Sequence, residues 1–191
     1  MLAYLPSQQR RQRGHIQAAT DVLAARLSHH VASTLELVVC RFSRRPPVTR
    51  VNFYILGDTQ ESARLQFACR LIQQAVTRQK CDVLVQVDDE AQARALDELL
   101  WVFQPDAFVP HALLDPSGSI EEAPVHIGWH NDPGPHHQLL VNLSTQLPAF
   151  FARFERLSEV VVQQQDVLHY TREHYRHLRD RGYPITDHDM R

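Results

Sequence analysis

Residues 51–87, VNFYILGDTQESARLQFACRLIQQAVTRQKCDVLVQV, decide how this chain folds. VNFYIL, Val51 to Leu56, is a β-branched and aromatic run that ends at Gly57-Asp58, the composition of a strand followed by a turn. In SARLQFACRLIQQAVTRQ, the residues Leu65, Ala68, Cys69, Ile72 and Val76 recur at helical spacing. DVLVQV, Asp82 to Val87, is a second strand. DDEAQARALDELLW follows as a second helix, with Asp88 or Asp89 placed to cap it and acids in its first turn. Strand, helix, strand and helix at this spacing predict parallel pairing with right-handed crossovers.

The remaining chain continues the theme less regularly. Residues 112–123, with Pro116, Ser117 and Gly118, read as a loop, PVHIGW as a short strand and HNDPGPHH as a second loop. LLVNLS, Leu139 to Ser144, is a strand, and Pro148 opens a short helix, PAFFARF. LSEVVV is the last expected strand. DVLHYTREHYRHLRDRGY is a long terminal helix, stopped by Gly182 and Pro184. The expected architecture is a three-layer α/β fold with helices on both faces of a mostly parallel sheet.

The chain has 191 residues, 43% of them hydrophobic and 22% charged, enough for one domain with an appendage. No apolar run approaches the ~20 residues of a membrane helix, and the first residues lack the apolar core of a secretory signal. A soluble, cytoplasmic protein is the expectation. Cys40, Cys69 and Cys81 are widely spaced and form no CxxC pair, which argues against a disulfide framework or a zinc knuckle. Cys69, among apolar neighbours, reads as a small buried hydrophobe.

Charge is divided unevenly. The first fifty residues carry eight arginines against Asp21 and Glu36, a surplus of six positive charges. The other 141 hold twelve basic and twenty acidic residues, a balance of −8. Residues 1–47 are therefore expected to be a poorly ordered, Arg-rich extension outside the α/β domain of residues 48–191. Pro46 and Pro47 mark the linker. The extension has the flavour of a transit peptide; equally, translation could begin near Val48. An acidic body argues against general nucleic-acid binding.

Catalytic signatures are sparse. The turn after the first strand, GDTQES, has one glycine, so it is neither a dinucleotide fingerprint nor a P-loop. His126 and His130 have a metal-like x3 spacing, with His136 and His137 nearby, but no HExxH occurs and solvated loop histidines explain them better. Asp97 and Glu98 are helical neighbours that do not face each other, while Asp88 and Asp89 serve a helix start. No catalytic residue, metal or cofactor is expected. A nucleotide- or metal-dependent enzyme on a Rossmann-like sheet is the competing class.

Two stretches carry surplus recognition chemistry. In the terminal helix, Leu168, Thr171, Tyr175 and Leu178 form one stripe, and His169, Arg172, Arg176 and Arg179 the next. This is an amphipathic helix with Tyr175 on the core, or a site for a short acidic peptide with an aromatic or carboxylate end. In LDELLWVFQPDAFVPH, Leu96 to His111, the residues Ala95, Leu96, Leu99 and Leu100 supply an ordinary core face just before and within the stretch. Trp101, Phe103 and Phe108 surround a proline-broken turn, either as a docking patch or as a loop that caps the sheet.

From about Val51 to Met190 the chain resembles the chi subunit of bacterial DNA polymerase III holoenzyme. The resemblance lies in VNFYIL, LQFACRLIQQAV, LDELLWVFQPDAFVPH, PVHIGW, LVNLS…PAFFARFERLSEVV and TREHYRHLRDRGY. It implies a non-catalytic clamp-loader accessory with an α/β fold and two binding surfaces. One, here Trp101, Phe108 and Val109, would dock the psi subunit. The other, here Val161, Arg172, Tyr175 and Arg176, would take the acidic C-terminal tail of single-stranded DNA-binding protein, which ends in aspartates followed by Ile-Pro-Phe. Two features depart from the family pattern. Gln79 and Lys80 stand in a turn that usually carries glycine, and residues 1–47 are foreign to it.

Overall fold

The computed structural model describes residues 48–114 and 122–191. The extension expected over residues 1–47, and most of the loop expected over 112–123, lie outside the described residues.

The opening stretch forms β1 (Arg50–Leu56), α1 (Glu61–Gln79), β2 (Val83–Gln86) and α2 (Glu90–Val102). The chain continues through β3 (His111–Leu113), β4 (Val125–Gly128), β5 (Leu139–Asn142), β6 (Arg156–Val161), α3 (Gln165–Asp180) and β7 (Ile185–Met190). The seven strands form one sheet in the order β3-β4-β2-β5-β6-β1-β7. Every pairing is parallel.

The sequence pattern explains this layering. Every residue of β2, β4 and β5 is buried, as parallel strands covered on both faces require. On β1, Phe53 packs against Tyr175 of α3 with ring centroids 5.2 Å apart, whereas its neighbour Tyr54 meets Phe67 of α1 at 5.4 Å. Successive strand residues point to opposite faces, so α1 and α3 cover opposite sides of the sheet. The three layers expected are thus present.

Several local expectations need correction. Part of the stretch read as a loop from residue 112 belongs to β3, which pairs with β4 and starts one residue earlier, at His111. LSEVVV is not the last strand. After Gly182 and Pro184 the chain returns as β7, beside β1 at the sheet edge. PAFFARF yields a single 3-10 turn, Phe151–Arg153, rather than a helix. Ala95 is exposed, and Ala93 takes the core position beside Leu96 and Leu100.

The helix ends show how the chain is held. Asp89 caps α2, its carboxylate accepting the Gln92 amide at 2.8 Å. Asp88 instead accepts from the Thr145 amide and hydroxyl, tying the ends of β2 and β5 together. At the end of α1, Lys80 adopts φ 54°, ψ 40°, and the Cys81 amide reaches back six residues to the Ala75 carbonyl. This is the left-handed cap that glycine fills without steric cost. The departure at Gln79-Lys80 therefore keeps the turn's geometry and stores strain in Lys80.

One buried charge joins helix to sheet. Arg64 of α1 is only 4% exposed. It donates to the Val160 carbonyl at 2.8 Å, the Leu143 carbonyl at 3.1 Å and the Glu61 carboxylate at 3.0 Å. Cys69 lies in the core below, where burial pushes its thiol up to about 12.

Two stability measurements check this account. Lys80→Gly is expected to raise the unfolding free energy in urea by ~0.5–1 kcal/mol, by relieving the left-handed strain. A loss of stability would show that the turn does not depend on that conformation. Arg64→Met, which leaves two buried carbonyls without donors, is expected to cost ~2–4 kcal/mol in the same assay. An unchanged urea midpoint would remove Arg64 from its bridging role.

Candidate functional site

The terminal helix and the first strand enclose a cavity. β1 and β6 are neighbours, with Ile55 opposite Val161 in the register. α3 crosses above them, and β7 closes one side. The result is a 220 Å³ cavity, floored by Phe53, Ile55 and Val161 and walled by Leu168 and Tyr175. Arg172 of α3 and Arg191, just past β7, stand at its charged margin with Asp187. An apolar hole edged by guanidinium groups suits a peptide with an aromatic side chain and a carboxylate.

The predicted residues fall into place unevenly. Val161, Arg172 and Tyr175 all line this cavity. Arg176 does not, although it is exposed one turn further along the helix. Among the described residues, neither Arg172 nor Arg176 forms an ion pair, so both guanidinium groups are open to a ligand. Arg191 is engaged by Asp189 through Nε at 2.8 Å and Nη2 at 2.6 Å. Hydrogen bonds from that guanidinium hold the Asp189 carboxyl down at about 2. Tyr175 sends its hydroxyl toward Asp187 at 3.4 Å, a long contact that leaves its ring against Phe53.

Sequence reasoning missed Phe53, Ile55, Asp187 and Arg191 as parts of this site; Leu168 already stood in the helix stripe beside Tyr175. Phe53 and Ile55 alternate on one face of β1, which was a usable signal. Arg191 was hidden because β7 itself went unread.

The core stripe of α3 also differs from expectation. Val167, Thr171, His174 and Leu178 are its buried residues, leaving Leu168 and Tyr175 half-buried above the cavity. His174 donates through Nδ1–H to Glu159 at 2.9 Å, a buried carboxylate that also accepts from Asn142 at 3.1 Å.

The second predicted surface lies elsewhere. Trp101 occupies the last turn of α2 and is 53% exposed; Phe108 follows in the turn and is 67% exposed. Their rings lie 5.7 Å apart, and Val102, next in the chain, is also exposed. Trp101 is backed by the His111 ring at 4.8 Å. His111 is in turn fixed by the Val109 carbonyl at 2.6 Å and Asp97 at 3.2 Å. Phe103 packs on the core instead. Val109, grouped with the docking residues, is 1% exposed, so it anchors the turn from below and offers no surface.

The histidine cluster is also not as expected. His126 and His136 are buried rather than solvated, stacked at 4.1 Å. Burial, with the neighbouring His126, lowers the His136 pKa. Among the described residues, no three His, Cys, Asp or Glu side chains are placed to hold a metal ion. No described helix is long and apolar enough to cross a membrane.

Comparison with known proteins places the chain in a family. The family model for the DNA polymerase III chi subunit, HolC, matches residues 48–186. The DNA polymerase III subunit chi of Pseudomonas aeruginosa is 42% identical over 143 residues, covering 75% of this chain and 98% of the relative. The subunits of the same name from Escherichia coli and Haemophilus influenzae are 32% and 31% identical, each covering 70% of this chain and 92% of the relative. The chain belongs to the DNA polymerase III chi subunit family.

Proposed function

We propose that residues 48–191 act as a non-catalytic accessory domain of the replicative polymerase, with residues 1–47 an extension outside it. In this reading it works in the cytoplasm, at the replisome. One surface holds the acidic C-terminal tail of single-stranded DNA-binding protein, and the other docks the psi subunit of the clamp loader. DNA is then contacted only through the coated strand, in keeping with the acidic body.

The observation that carries this reading is the 220 Å³ cavity that gathers Val161, Arg172 and Tyr175 from two separate elements. The tail's terminal phenylalanine would enter the apolar floor between Phe53, Val161 and Tyr175. Its carboxylate and the preceding aspartates would meet Arg172 and, one turn on, Arg176. Arg191 adds a third cation, which an incoming carboxylate would share with Asp189. Trp101 and Phe108 supply the other dock, as an aromatic pair at the end of a helix.

A peptide ending in Asp-Asp-Ile-Pro-Phe is expected to bind with a micromolar Kd, and more weakly as salt rises. Calorimetry with Arg172→Ala is expected to show a loss of ~1.5–3 kcal/mol, roughly tenfold or more in Kd. Unchanged affinity in both Arg172→Ala and Arg176→Ala would sink the assignment of the tail site.

For the second surface, Trp101→Ala and Phe108→Ala are each expected to weaken psi binding by ~2 kcal/mol or more. Because both side chains are largely exposed, the urea midpoint should move by no more than ~0.5 kcal/mol in stability. Retention of psi by both variants in a pulldown would exclude this patch as its dock.

A further inference from the structure

A second cavity lies on the other flank of α3, away from the tail site. It has a volume of 440 Å³, between the helix and the 147–151 segment. Leu147, Pro148 and Phe151 give it an apolar wall, while Glu173, His174 and Arg181 line it from the helix. The Phe151 ring stands edge-on to Tyr183, with centroids 5.2 Å apart, so the wall is fixed in place. Arg181 caps the end of α3, which sets the cavity beside the negative end of the helix dipole.

One atom on this lining lacks a partner. The His174 side chain is only 9% exposed, and its ring packs on Tyr170 with centroids 5.7 Å apart. Its Nδ1–H donates to the buried Glu159 carboxylate, which Asn142 holds from the neighbouring strand. With the ring proton on Nδ1, Nε2 carries a lone pair and is an acceptor. That nitrogen bonds to no other described residue, and it is not sealed from solvent. Because His174 lines the cavity, the acceptor opens onto it. An orientated acceptor beside an apolar wall calls for a donor on an apolar body. An anion is the wrong ligand, since it would meet the Nε2 lone pair, the Glu173 carboxylate and the negative helix end.

We propose that this cavity binds a phenol, a neutral hydroxyl on an aromatic ring. The phenolic O–H donates to His174 Nε2. Its oxygen accepts from Arg181, which lines the cavity and forms no ion pair among the described residues. A phenol suits the site better than an aliphatic alcohol. Its O–H is the stronger donor, yet with a pKa of about 10 it stays neutral at physiological pH. Its ring also offers a face to Pro148 and Phe151. Space is ample, since an apolar cavity of roughly 150 Å³ already holds a benzene ring. The phenol is either a free small molecule or the tyrosine side chain of a partner. The site is independent of the tail-binding reading, since no residue is shared between the two cavities.

The first probe is p-cresol, titrated into the full chain while the histidine ring resonances and the ligand's own resonances are followed by NMR. A saturable shift of the His174 ring is expected, with a Kd in the millimolar range. The methyl ether, p-methylanisole, keeps the ring and the oxygen but has no O–H, so it should bind roughly tenfold more weakly. The anion p-toluate should also bind more weakly than p-cresol. His174→Asn keeps a donor for Glu159 but has no acceptor where Nε2 stood. It should fold, lose roughly tenfold in affinity for p-cresol and bind p-methylanisole as the wild type does. Arg181→Met, at an exposed position, should weaken p-cresol several-fold while leaving tail-peptide affinity unchanged. N-acetyl-tyrosinamide separates the sources: binding tighter than p-cresol assigns a partner's tyrosine, and weaker binding a free phenol. Absence of a saturable shift, equal binding of p-cresol and p-methylanisole, or wild-type affinity in both variants overturns the proposal.

Discussion

The pairing of β1 with β6 and β7 is the constraint on which this molecule depends. The first strand of the domain is enclosed by its last two, with six paired positions on each side. β1 therefore cannot complete its hydrogen bonds until the end of the chain has arrived. The same closure builds the cavity under α3, because its floor is β1 and β6 and its rim includes the end of β7. Fold completion and cavity completion are one event, reached only through contacts of long sequence separation. Such contacts carry a large loop-closure cost, which the buried apolar faces of β1 and β6 must outweigh.

Polar groups in the interior are disposed so that each serves a junction. Arg64 satisfies carbonyls at the ends of β5 and β6, where parallel strands stop and their last oxygens would otherwise lack donors. Asp88 ties the end of β2 to Thr145 after β5. Glu159 and Asn142 lie on neighbouring strands at paired positions, and His174 joins them to the helix above. These bonds give the layers a fixed register that apolar contact alone does not impose. Buried pairs of this kind are weak contributors to net stability, but losing one partner is costly.

The sequence was most legible where a segment is long and buried on a regular period. β1, α1, β2 and α2 fall within a residue or two of expectation, because their apolar spacing admits one reading. β3 was missed because three residues carry no period, and β7 because ITDHDM alternates little and bears two acids. An edge strand faces water on much of its surface, so its pattern records exposure rather than burial. That miss also hid Arg191, which lies just beyond β7 and lines the α3 cavity. Val161, Arg172 and Tyr175 could be named from resemblance, but only the crossing of α3 over β6 explains why they share one cavity. Val109 was grouped with the docking residues by resemblance, and Phe103 stood open between docking patch and sheet cap; the turn folds both inward. Burial in an irregular segment depends on the path of the backbone, which local composition does not encode. Glu159 and His174 were invisible for a related reason: each sits in an unremarkable pattern, and their meaning is a distance of 2.9 Å across two elements.

The sheet order also bears on how such a domain could hold two partners at once. Trp101 and Phe108 lie by β3, at one edge of the sheet, and the α3 cavity lies by β7, at the other. Strands sit ~4.8 Å apart, so the four to five intervals from β3 to the cavity floor on β6 and β1 span roughly 20 Å. Five strands lie between the two edges, of which β4, β2 and β5 are buried throughout and have no glycine in their interiors. A core packed this closely transmits little from one edge to the other unless an element has two discrete arrangements. A tether needs no such element. It needs both surfaces to be occupied together, and the benefit then comes from effective concentration rather than from conformational change. In the proposed reading, distance and rigidity meet that requirement, keeping the α3 cavity clear of whatever occupies the Trp101–Phe108 patch.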